Sequence, residues 1–168
     1  MLVRLTLAAC LLVLAACGSS THAADPPRPS ATSASPTQPP PRRETAEHFI
    51  RRWAEVEMQM ENTGAAHKYL AMSPGCAACR KLVAQIRSIY AAGGSVKWGG
   101  WKIFSIEVNA RRGRTTTYAV RNRSLPTSYR RTSHDVVEHL PGGITTELLQ
   151  LRHAHSQWTL VGKSELAS

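Results

Sequence analysis

The 168-residue chain carries 21 Lys and Arg against 11 Asp and Glu, a formal net charge of +10. It has four cysteines and no second Cys-x-x-Cys, which excludes a zinc site built from two such motifs. Once an N-terminal export segment and a Pro-rich stretch after it are set aside, about 125 residues remain, enough for one domain with a real core and too few for several.

The chain opens with the same tetrapeptide twice, Leu7-Ala8-Ala9-Cys10 and Leu14-Ala15-Ala16-Cys17. A secretory signal needs a positive start, an apolar stretch of about 7–15 residues and small residues before the cut. Arg4 supplies the charge. Leu5 to Ala9 is too short an apolar stretch for Cys10, whereas Leu5 to Leu14 suits Cys17, after which Gly18-Ser19-Ser20 ends the apolar run. Leu14-Ala15-Ala16-Cys17 resembles the bacterial lipobox, which implies cleavage after residue 16 and a diacylglyceryl group on Cys17. Acyl chains at about 0.8 kcal/mol per buried methylene then anchor the protein to the outer face of the cell membrane. The apolar run is too short to be preferred as a spanning helix.

Residues 17–43 are rich in Pro, Ser and Thr, with almost no apolar side chain to offset the entropy of ordering, and are read as a disordered tether. Residues 44–168 are read as one domain. A first helix is predicted over 45–62, with Phe49, Ile50, Trp53, Val56 and Met60 on one face and Gly64 past its end. A second, over 65–72, stops before Pro74. A third, over 76–92, carries Cys79, Leu82, Val83, Ile86 and Tyr90 on one stripe and ends at Gly93-Gly94. The period then changes to two: Phe104, Ile106 and Val108 alternate with polar residues, as do Tyr118 and Val120. Turns are expected at Arg112-Gly113, Ser124-Leu125-Pro126 and Pro141-Gly142-Gly143. Residues 145–152 and 158–163 pair around a polar turn at 153–157. The fold class is α+β: three helices packed on a curved antiparallel sheet of four to five strands.

Helices first and a curved antiparallel sheet after them resemble the nuclear-transport-factor-2-like cone. Pro74-Gly75-Cys76-Ala77-Ala78-Cys79, Ile89-Tyr90-Ala91-Ala92-Gly93-Gly94 and Trp98-Gly99-Gly100-Trp101 resemble a family of actinobacterial extracytoplasmic lipoproteins of unknown function. The resemblance implies a location and a fold, and no activity.

Sites are therefore read from the residues. Cys76 and Cys79, three apart where a helix begins, can reach each other as a disulfide. The helix-borne setting lacks the strand that leads into a thioredoxin motif, which favours a structural bridge over a redox site. His153 with His155, and His134-Asp135 with Glu138-His139, are metal-ligand types in predicted turns and strand ends, where solvated polar residues belong; no metal or other cofactor is expected. Glu107, Asp135, Glu138 and Glu147 are the strand carboxylates from which acid–base chemistry would draw, and none is singled out. The Trp98–Trp101 segment is expected to seal the core. Finally, Arg111, Arg112, Arg114, Arg121, Arg123, Arg130 and Arg131 occur with no acidic residue between Glu107 and Asp135. They form a candidate surface for anionic lipid, an anionic envelope polymer or an acidic envelope protein; export makes nucleic acid an unsuitable partner. These readings describe a lipid-anchored, non-catalytic binding module. The alternative is a cone-fold enzyme of isomerase or cyclase type, acting on a small hydrophobic substrate in a cavity lined by Phe104, Ile106, Tyr118 and Leu151.

Overall fold

The structure is a computed structural model that describes residues 43–166. Cys10, Cys17 and all of the tether but its last residue lie outside these residues. Helix α1 spans Ala46–Thr63. The Thr45 hydroxyl caps its start by accepting from the His48 N–H at 3.2 Å, and Gly64, in the left-handed region at φ 73°, closes its end. Helix α2 spans His67–Met72 and α3 spans Ala77–Ala91, with Cys76 as the N-cap of α3. Each lies within two residues of the span expected from periodicity. The buried stripe of α1 includes the expected Phe49, Ile50, Trp53, Val56 and Met60, and also Glu57.

Seven strands follow: β1 (Gly93–Trp98), β2 (Trp101–Arg112), β3 (Thr115–Ser124), β4 (Thr127–Thr132), β5 (Glu138–Leu140), β6 (Gly143–Ala154) and β7 (Gln157–Glu165). They form two antiparallel sheets, ordered β1-β4-β5 and β2-β3-β6-β7. The register shows how seven strands arise where four or five were expected. β1 pairs with β4 from Gly93↔Thr132 to Trp98↔Thr127, and β2 pairs with β3 from Trp101↔Ser124 to Arg112↔Thr115. The segment β1–β2 and the segment β3–β4 are thus one long hairpin bent at a corner, and β5–β6 is a third run bent at the same place. With β7, four runs make a meander.

Glycine permits the bend. Gly100 and Gly142 sit at φ 85° and φ 74°, and a Cβ on Gly142 would overlap the Ser124 carbonyl oxygen across the corner. Trp98 is buried beside the corner, its indole N–H donating to Ser124 Oγ at 3.1 Å. Asn62, near the end of α1, clasps the Trp98 backbone twice, donating to its carbonyl at 2.8 Å and accepting from its N–H at 2.7 Å. The helices cover one face of the sheets, and Val120, Leu149, Leu151 and Leu160 are fully buried against Phe49, Ile50, Trp53 and Tyr69.

The strict alternation expected for the first long strand fails at two β-bulges. The β2–β3 register shifts between Ile103 and Ser105 and again between Val108 and Ala110. An inserted residue reverses which face the following side chains occupy. Phe104 consequently lies beside outward-facing Arg121 and is 42% exposed, while Val108, on the edge strand, is 48% exposed. Ile106 alone of the three keeps its expected place against the core.

Candidate functional site

Pairing fixes what shares the outer face of the β2-β3-β6-β7 sheet, the face opposite buried Val120 and Asn122. Lys102 stands directly across from Arg123, which in turn faces Ile144, and Ser105 faces Arg121, which faces Thr146. At the far end Arg112 faces Thr115, which faces Arg152. Lys102, Arg112, Arg121, Arg123 and Arg152 are all exposed, and Glu107 is the acidic residue among them, paired with Ala119. Like charges directly across an antiparallel pair are destabilising, and Lys102 and Arg123 stand in that relation. The Arg121 guanidinium lies over the Phe104 ring, 5.5 Å from its centroid. Toward the Arg112 end the face sinks into a concavity of about 470 Å³ lined by Asn109, Ala110, Arg112, Thr115, Thr117, Leu148 and Gln150.

The seven arginines singled out in the sequence are not one patch. Arg121 and Arg123 share the outer face with Arg112. Arg114 sits in the two-residue β2–β3 turn, and Arg111, one residue out of phase with Arg112, belongs to the opposite face at the exposed hairpin end. Arg130 and Arg131 lie on β4 in the other sheet. Arg130 is half-buried, with its Nε withdrawn from solvent. Arg131 lies over the Tyr129 ring and 3.7 Å from Glu138, which also accepts from the Tyr129 hydroxyl at 2.6 Å. Lys102 and Arg152, which complete the face, fall outside the 111–131 arginine tract; only strand register reveals them.

Other candidates find structural places. Cys76 and Cys79 are at disulfide distance, with Cα atoms 5.2 Å apart, and both are buried. The Cys76 sulfur also accepts from the Cys79 N–H at 3.1 Å. The His153 ring packs on Trp158 at 4.5 Å, and His155 with Ser156 makes the β6–β7 turn at φ 50° and φ 62°. Asp135 accepts from the Thr132 N–H at 2.9 Å. Among the described residues no set of three His, Cys, Asp or Glu side chains is placed to hold a metal ion.

The inner face holds a cluster of which sequence reasoning named Glu147 alone. Glu57 on α1 is fully buried, and its Oε1 accepts from Lys163 Nζ of β7 at 2.8 Å and from the Tyr69 hydroxyl of α2 at 3.1 Å. The Lys163 ammonium lies 5.5 Å from the Trp53 ring and 4.7 Å from the Trp101 ring. Glu61, one turn along α1, and Glu147 on β6 complete the group. Burial, with Glu57 close by, pushes the Glu61 carboxyl up to about 7. Burial likewise raises Glu147, against the pull of Lys163. Burial and then Glu57 raise the Tyr69 hydroxyl. For Lys163, burial works to lower the ammonium, and the carboxylates of Glu57 and Glu147 outweigh it, so its pKa is raised. The four residues expected to line a cavity do not share one: Phe104 points outward and Leu151 is fully buried among Leu149 and Leu160.

Comparison with known proteins is informative for the fold alone. No protein-family model matches the chain, and no curated protein matches it in sequence. Among solved structures, the intermembrane-space region of the chloroplast protein ARC6 aligns with a TM-score of 0.55 at 14% identity, covering 76% of this chain and 98% of that one. The chain shares that fold. The β subunit of benzoate 1,2-dioxygenase from Burkholderia mallei aligns with a TM-score of 0.47 at 10% identity, over 72% of this chain and 89% of its own. An NTF2-like protein with a cystatin-like fold from Novosphingobium aromaticivorans gives 0.42 at 12% identity, over 71% and 79%.

Proposed function

We propose that the protein is a cell-envelope lipoprotein of the actinobacterial kind, held to the outer face of the cell membrane by lipidated Cys17. Its α+β domain works as a non-catalytic binding module for an anionic envelope surface. The observation that carries this reading is the direct pairing of Lys102 with Arg123 on an exposed face that also holds Arg121, Arg112 and Arg152. Such a face gathers anions through a field that salt screens within about 10 Å at 0.1 M. The tether of residues 17–43, about 80 Å if fully extended as polyproline II and about 30 Å as a flexible coil, gives the domain reach beyond the bilayer.

The test is co-sedimentation of residues 17–168 carrying Cys17→Ala, so that neither an acyl chain nor the apolar export segment contributes, with envelope fragments. Binding at low salt and release by about 0.5 M salt is the expected result. Arg121→Glu with Arg123→Glu abolishes binding, and Arg131→Gln leaves it intact because Arg131 is engaged with Glu138 on the other sheet. Binding that survives the double charge reversal, or no binding at any salt, overturns the reading.

The buried cluster favours a second reading, an enzyme acting on a small hydrophobic molecule, because Glu61, Glu147 and Tyr69 have the shifted ionisation that acid–base chemistry uses. A saturable change in tryptophan emission on adding apolar small molecules, lost in Glu57→Gln, selects this reading.

A further inference from the structure

The outer face is more than a charged surface, and we infer that it is a binding channel for an extended polyol phosphodiester, a flexible hydroxyl-bearing chain with one negative charge per repeat. The inference rests on the anion-binding reading above and names its ligand. Three observations carry it. First, the cations lie at both ends of a strip: Arg112 and Arg152 flank Thr115, and Lys102 faces Arg123, eight residues further along β3, which is about 27 Å. A polyanion that self-repels into an extended chain matches two such clusters, whereas a single small anion reaches one. Second, the concavity at the Arg112 end is lined by neutral hydrogen-bonding side chains, Asn109, Thr115, Thr117 and Gln150. Gln150 lies flat over Gly162, whose missing side chain leaves room for its amide. Hydroxyls find donors and acceptors there, and the guanidinium fork takes the two free oxygens of a phosphodiester. Third, the floor between the two ends is low: Ala110 and Thr117 make one row, Ala119 and Leu148 the next, and Phe104, whose ring projects from this face toward the Arg123 end, lies under the Arg121 guanidinium, 5.5 Å from its centroid. Sugar rings are held by aromatic faces, and these rows offer none, so a slim polyol chain fits better than a polymer of sugar rings. Glu107 borders the floor beside Ala119, a single negative charge against the five cations of the face.

The channel also distinguishes a polymer from a bilayer: a phosphatidylglycerol headgroup offers the same phosphodiester and hydroxyls, but a flat array of headgroups cannot follow the strip down into its concavity as a free chain can. The experiment measures binding of residues 17–168 carrying Cys17→Ala to four probes: poly(glycerol phosphate), inorganic polyphosphate and polygalacturonate of matched charge, and phosphatidylglycerol vesicles. The expected result is that poly(glycerol phosphate) binds at least tenfold more tightly than the other three. Arg112→Gln with Arg152→Gln then weakens it about tenfold, with a shallower salt dependence. The uncharged pair Thr117→Val with Gln150→Ala weakens poly(glycerol phosphate) severalfold and leaves polyphosphate unchanged. Equal binding of poly(glycerol phosphate) and polyphosphate, a preference for polygalacturonate or tighter binding to vesicles overturns the polyol assignment while leaving the anion-binding reading standing. Absence of binding to all four overturns both.

Discussion

Lys163 is the residue on which the interior turns, and alternation along the last strand hides it. Leu160 pairs with Leu151, but Gly162 pairs with Gln150, so Val161 is an extra residue and Lys163 swings to the inner face opposite Leu149. The helical partner was visible in principle: Glu57 falls four residues after Trp53, in the middle of an apolar stripe. Removing one member of a buried pair leaves the other unpaired, so Lys163→Met is expected to cost about 3–5 kcal/mol in denaturant unfolding, and Lys163→Met with Glu57→Leu to recover most of it. Glu61 carries a pH signature. Its carboxyl is raised from 4.5 to about 7 in the fold. The contribution to stability is therefore fully present below about pH 4.5 and is lost as pH rises through 7. Glu61→Gln removes that loss, and thermal melts from pH 4 to pH 8 should show the variant gaining on the parent by about 3 kcal/mol at the alkaline end. Parallel curves for the two proteins would contradict this.

At the scale of elements, the helices were legible and the strands only in part. Periodicity placed α1, α2 and α3 because their stripes run unbroken to residues that stop a helix, Gly64, Pro74 and Gly93. The long strands carry three bulges, and a bulge writes no residue type into the sequence; it only reverses the faces that follow. The basic face was half legible for the same reason: Arg121 and Arg123 share a strand, while Lys102, Arg112 and Arg152 join them only through register. The start of α3 offers a test of two coupled roles. Cys76 both closes a short bridge to Cys79 and caps the helix through its sulfur. Losing the bridge is expected to cost about 2 kcal/mol, since the loop is small. Serine keeps the cap and alanine does not, so Cys76→Ala should unfold about 1 kcal/mol more easily than Cys76→Ser, both remaining folded. Equal stabilities would remove the capping role.

For the molecule as a whole, the attachment proposed at Cys17 would be separable from folding, because both Leu-Ala-Ala-Cys cysteines precede the residues that build the core. Cys17→Ala is expected to abolish acylation and membrane retention, and Cys10→Ala to leave both intact, as fractionation of cells with an acyl-chain label would show; equal effects would refute the assignment of Cys17. The domain itself is closed by its far end. The Trp158 indole donates to the Glu44 carbonyl at 2.9 Å, 114 residues apart, and Lys163 reaches Glu57 across 106. A ribosome delivers α1 first and β7 last. Through nearly the whole of synthesis the carboxylate of Glu57 therefore has no cation to meet, and the helices have no complete sheet to cover. The finished tertiary structure waits for the final strand, and for a chain exported as proposed above that order would leave the polypeptide without its closing contacts while it is threaded through a narrow pore.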